Sequence, residues 1–135
     1  MVPQEFAMRR MVLLLALPLM LALAGCHVVG PERFVVFYEP QSSDLDAQGQ
    51  KVIATVAERA RQRPGTPVIV SGFADPEGPV ADARRLAARR SLAVAKALVA
   101  AGVDPTQIER RAMGGVDYSM DSIESRRVEI TLGEK

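Results

Sequence analysis

The run Thr66-Pro67-Val68-Ile69-Val70-Ser71-Gly72-Phe73 constrains this chain more than any other stretch. It is apolar and β-branched and lacks the polar alternation of a half-solvated strand, so it belongs inside a sheet with both faces covered. A second run, "FVVFY" from Phe34 to Tyr38, is β-branched and aromatic, ends at Glu39-Pro40, and reads as another buried strand. Between the two, Leu45, Val52, Ile53, Val56, Ala57 and Ala60 recur at the spacing of one helical face. Ser42, Ser43 and Asp44 are N-cap candidates for that helix, and Pro64-Gly65 ends it after basic residues suited to a helix C-terminus.

Beyond Phe73 the period changes. A long helix is expected from about Val80 to Ala101, stopped by Gly102 in a C-cap position, then a turn at Asp104-Pro105. A third strand follows from Ile108 to Met113, and "RRVEITL" alternates as a last one from Arg127 to Leu132. The order βαβαββ predicts an α/β (α+β) domain, a two-layer sandwich of two main helices on a mixed four-stranded sheet.

The N-terminus has a different character. Arg9 and Arg10 precede an apolar stretch from Met11 to Ala24, which is broken by Pro18 and closed by small residues. This is the layout of a secretory signal, and it falls short of the roughly 20 residues of a spanning helix. Its exit, Leu23-Ala24-Gly25-Cys26, resembles the lipobox of bacterial lipoproteins, which implies that Cys26 is lipidated and becomes the first mature residue. Lipidation also accounts for a lone cysteine in an exported chain. The expected organisation is a signal over residues 1–25, a lipidated N-terminus and short tether over 26–33, and one domain over 34–135. His27 after the cysteine, in place of the aspartate associated with inner-membrane retention, favours outer-membrane attachment facing the periplasm.

Removal of residues 1–25 takes away Arg9, Arg10 and Glu5 and leaves equal numbers of acidic and basic side chains. With no basic surplus and no tryptophan, nucleic-acid binding is excluded as a function class, and no global field favours anionic lipid. Catalysis is excluded on similar grounds. The only histidine, His27, and the only cysteine, Cys26, both precede the domain, so no Ser-His-Asp, Cys-His or zinc constellation can be built in it. No cofactor is implied.

Two charged residues stand out. Asp75 closes the buried strand just before Pro76, and Arg90 lies in the middle of the long helix's apolar stripe. At 100° per residue, Ala83, Leu86, Val94, Ala97 and Ala101 all fall within about 40° of Arg90. Arg84, Arg85, Arg89 and Lys96 lie off the stripe and read as a solvated face. A charge on a core-facing stripe pairs, reaches a cleft, or snorkels with its head in water. Periodicity leaves these open.

From Phe34 to Leu132 the chain resembles the OmpA-like peptidoglycan-binding domain, also found in peptidoglycan-associated lipoproteins. The resemblance rests on "FVVFYEPQSSDLD", "PVIVSGFAD", "LAARRSLAVAKALVAAGVDPTQIE" and "ESRRVEI". It implies non-covalent binding of peptidoglycan through the diaminopimelate of its peptide stem, with Asp75 accepting from the ammonium and Arg90 gripping the carboxylate. Ala74, Ser125 and Arg127 are implied as neighbours of the ligand. Phe73 and Ala74 stand where the family usually has His-Thr, Asp82 and Ala83 where it has Tyr-Asn, and Ser125 where it has Asn. The loss of that polar escort predicts weaker binding, and it sets up the alternative of a degenerate domain that docks on an envelope protein near the membrane.

Overall fold

The computed structural model describes residues 30–75, 79–115 and 122–133. The segment read as a signal, Cys26 with its lipidation, and the turn at Pro76, Glu77 and Gly78 lie outside the described residues.

The elements are β1 (Glu32–Phe37), α1 (Ala47–Arg61), β2 (Val68–Ala74), α2 (Val80–Ala100), a single 3-10 turn (Pro105–Gln107), β3 (Ile108–Gly115), the short α3 (Ser122–Ser125) and β4 (Arg127–Leu132). The sheet order is β1-β4-β2-β3, with β4 antiparallel to both its neighbours and β2 parallel to β3. This is the expected mixed four-stranded sheet, with α3 added. β2 is interior, as its apolar run requires, and all of its residues but Ser71 are buried.

Boundaries differ where pairing or capping decides them. β1 starts at Glu32, inside the stretch read as tether, because its main chain pairs with Leu132 of β4. The N-cap of α1 is Asp46, whose Oδ1 accepts from Gly49 N at 2.7 Å, rather than Ser42, Ser43 or Asp44. Ser42 is committed to a turn: its N–H donates to Glu39 O at 3.1 Å and its Oγ accepts from Asp44 N at 3.0 Å.

α2 ends as expected. Gly102 takes φ +95°, and Val103 N donates to Leu98 O at 3.0 Å, which closes a Schellman-type cap with Val103 buried against the core. Arg61 of α1 donates to Ala101 O at 3.0 Å, supplying the cation that the last turn of α2 lacks.

Alternate residues of a strand face opposite sides. Val68, Val70, Gly72 and Ala74 face the helices, as do Val36 of β1 and Val128, Ile130 and Leu132 of β4, which bury against Val56, Ile53, Val94 and Leu98. Each such side chain contributes about 1.5–3 kcal/mol on burial. At Gly72 the sheet and α2 come closest, and a Cβ there would lie 2.2 Å from Ala87 O. Among the described residues, both core clusters lie wholly between Val36 and Leu132, so a chain starting at Gly30 keeps all of them.

The register defines two ends. Glu32, Leu132, Val68 and Ile108 lie together at one, and Phe37, Arg127, Ala74 and Gly115 lie at the other. Five residues of strand separate them by about 17 Å.

Candidate binding site

The singled-out residues gather at the second of these ends. Asp75 is the first residue past β2 and is half-buried. Ser125, the last residue of α3, is 1% exposed, and its hydroxyl donates to Asp75 Oδ1. A serine fifty positions away in the chain thus fixes the carboxylate, and it does so from the place where the family pattern has an amide.

Arg90 lies inside the domain. It is 0% exposed, so it does not snorkel, and no ion pair links it to Asp75. Its guanidinium is bonded instead to main chain: Nε donates to Ser42 O at 2.7 Å, one terminal nitrogen to Phe73 O at 3.0 Å, and the other to Glu39 O at 3.2 Å. The Tyr38 ring packs against it, 5.1 Å from its centroid to the guanidinium carbon. Burial pulls the Arg90 pKa below the ordinary arginine range, and the charge of Asp75 is the largest influence opposing that pull. The two groups therefore sense each other across a gap.

The carbonyls that Arg90 holds belong to a turn. Glu39-Pro40-Gln41-Ser42 is closed by the Ser42 N–H to Glu39 O bond, with proline at its second position and Gln41 at φ +59° at its third, the pattern of a type II turn. Glycine or asparagine is usual at that third position. Arg90 bonds both ends of this turn and the Phe73 carbonyl of β2, so one buried cation ties the β1–α1 connection to the strand that delivers Asp75. Sequence reasoning read Ser42 only as a cap and passed over Tyr38 and Glu39. The signal was present in Glu-Pro-Gln-Ser, a turn directly after a buried strand.

Ala74 and Arg127 each have neighbours of their own. Ala74 is 0% exposed and packs with Ala83, Leu86 and Ala87, so its side chain belongs to the sheet–helix layer. Arg127 points to the face of the sheet away from the helices. Its guanidinium carbon sits 4.4 Å from the centroid of the Phe73 ring, its Nε donates to Glu129 Oε1 at 2.8 Å, and it also donates to Glu124 O. Phe73, which stands in place of the family's histidine, serves as the platform for that arginine while its carbonyl holds Arg90.

The neighbouring Arg126 faces a cleft instead. Phe37, Tyr38, Glu39, Asp44, Asp46, Ile123 and Arg126 line a cavity of about 200 Å³ beside the turn. The Tyr38 hydroxyl and Arg126 Nε are buried there with no hydrogen-bond partner. Carboxylates and unsatisfied donors thus face one small space, an arrangement suited to a ligand carrying both charges. Among the described residues no group of His, Cys, Asp and Glu is placed to hold a metal ion.

Comparison with known proteins agrees with the fold. The crystal structure of the peptidoglycan-associated lipoprotein from Burkholderia pseudomallei superposes with a TM-score of 0.68 at 23% identity, over 73% of this chain and 88% of that one. The C-terminal domain of MotB from Helicobacter pylori gives 0.63 at 27% identity, over 76% of this chain and 85% of that one. The probable lipoprotein YiaD of Escherichia coli (strain K12) is 31% identical over 103 residues, 72% of this chain and 47% of that protein, so the chain spans about half of that relative's length. Residues 37–127, which run from the end of β1 through the arginines of Ser125-Arg126-Arg127, match the OmpA family, and the chain belongs to it.

Proposed function

We propose that the domain is a non-catalytic module that binds peptidoglycan through the diaminopimelate of its peptide stem, from a lipid-anchored position in the bacterial envelope. The observation that carries this reading is the Asp75 carboxylate, held by Ser125 at the end of β2 within electrostatic reach of Arg90. A diaminopimelate centre presents an ammonium and a carboxylate on one carbon. Asp75 accepts from the ammonium. Arg90 is 0% exposed and gives three of its five N–H donors to main chain, so it attracts the carboxylate through its charge from behind the site. Arg126 shares that role, since its Nε lacks a partner and it lines the adjoining cleft. Arg127 shapes the site through Phe73.

The topology suits an anchored binder. A tether from Cys26 enters β1 at Glu32, and the site lies at the opposite end of the sheet, about 17 Å further from the anchor. Outer-membrane attachment with the domain in the periplasm is part of the same reading.

Co-sedimentation of the domain from Gly30 onward with purified diaminopimelate-type sacculi tests it. Asp75→Asn removes one charged hydrogen bond, so binding falls roughly ten- to a hundredfold with the fold intact. Arg126→Gln weakens binding in the same assay. Wild-type binding by both variants contradicts the site.

A further inference from the structure

The outward face of α2 carries a feature that wall binding does not use. Arg85, Arg89, Leu92, Lys96 and Val99 fall within about 80° of arc and run about 21 Å along the helix axis. All five are exposed. Arg84 lies on the flank toward β3, where a Cβ at Gly114 would come within 3.7 Å of Arg84 Cα. Lys96 and Arg110 flank a groove of about 220 Å³ floored by Ala95, Val99, Pro105 and Ile108. The one described carboxylate on this face of α2 is Asp82, which lies 3.5 Å from Arg85 with both side chains largely in water. Among the described residues, Arg84, Arg89, Lys96 and Arg110 form no ion pair.

A chain that is neutral over its mature length therefore separates its charge. Carboxylates of Glu39, Asp44 and Asp46 gather around the turn and cleft, and cations gather along α2 and β3. Long-range fields follow this local distribution rather than the total.

We propose that the α2 face docks the domain on an anionic phospholipid surface. Three observations favour lipid over other polyanions. Two aliphatic side chains, Leu92 at 38% and Val99 at 42% exposed, sit among the three cations of the stripe, as on a helix that lies on a membrane interface. The groove between Lys96 and Arg110 pairs an apolar floor with two cations, matching a phosphate next to glycerol and acyl carbons. The proposed anchor at Cys26 is separated from Glu32 by a reach of only about 20 Å, so the domain spends its time beside a bilayer. That last point rests on the anchored reading; the first two do not. The Asp75 site lies at the end of the sheet and not on the outward face of α2, so docking leaves it open to the wall.

The test uses the unlipidated domain from Gly30 onward and vesicles of phosphatidylcholine with about 30% phosphatidylglycerol, where each cation near the surface adds roughly fivefold to partitioning. Sedimentation with these vesicles is expected, and it falls steeply as salt rises toward about 0.5 M. The triple variant Arg85→Gln/Arg89→Gln/Lys96→Gln loses on the order of a hundredfold. These positions are exposed, so its circular dichroism and its sacculus binding stay unchanged. Equal partitioning on pure phosphatidylcholine, or full retention by the triple variant, overturns the proposal. Loss of sacculus binding in the triple variant also overturns it, by assigning the stripe to the wall. Failure of Asp75→Asn to affect sacculi bears on the wall site alone.

Discussion

Replacing Arg90 by methionine isolates what the buried guanidinium does. Methionine keeps the unbranched stem and much of the volume, so packing against Tyr38 and α2 is largely retained. The three hydrogen bonds to Ser42, Phe73 and Glu39 carbonyls are lost. Each bond from a charged donor is worth about 1.5–3 kcal/mol, but burying the cation costs several kcal/mol, so the gross sum does not survive intact. Removing the cation leaves three carbonyls short of a donor around a turn that already holds Gln41 at positive φ. A net loss of about 3–5 kcal/mol is expected, as for breaking other buried charged contacts. In urea unfolding of the domain from Gly30, with a slope of about 1.5 kcal/mol/M, the midpoint drops by about 2–3 M. Arg90→Lys recovers part of this, since one ammonium reaches fewer of the carbonyls. A midpoint for Arg90→Met within about 0.5 M of the parent would refute the brace.

Two further outcomes follow from local geometry. Gly72→Ala puts a methyl 2.2 Å from Ala87 O, forces β2 and α2 apart, and lowers stability by at least about 2 kcal/mol in the same assay; a neutral effect contradicts the close approach. Burial raises the Tyr38 pKa above the ordinary 10.0, so its contribution is fully present below that pH and is lost as pH rises through the higher folded value. Because the hydroxyl is buried without a partner, Tyr38→Phe stabilises by up to about 1 kcal/mol at neutral pH, and by more in alkaline solution. A destabilised Tyr38→Phe variant would show that the hydroxyl is satisfied.

The fold was legible because its strands differ in kind. The run at Val68–Phe73, polar only at Ser71, could only be interior, and the alternation at Arg127–Leu132 marked a further strand, which the structure places antiparallel beside it. The register of β1 was not legible, since Glu32 and Arg33 join the strand through main-chain pairing that leaves no apolar mark. At the site, the helical wheel found Arg90 because a cation on an apolar stripe is costly, yet periodicity carries no information about which acceptors answer it. They are two carbonyls from a turn about fifty residues upstream and one from Phe73 in β2, and main-chain acceptors have no sequence signature. Arg126, which lines the cleft, was passed over in the sequence because adjacent residues at the entry into β4 face opposite ways and the pattern does not show which of the two does so. Net neutrality, finally, hid the cationic face of α2, because a sum over the chain discards position.

The central claim is that Asp75 and its surroundings recognise diaminopimelate. Amide chemical shifts of the domain, followed during titration with a soluble stem tripeptide ending in diaminopimelate and with its lysine counterpart, test it most directly. The account predicts shifts that saturate at Asp75, at the Glu39–Ser42 turn and at Ser125 and Arg126, with clearly weaker binding of the lysine peptide, which lacks the second ammonium–carboxylate centre. Shifts confined to other parts of the domain, or equal responses to the two peptides, would contradict it.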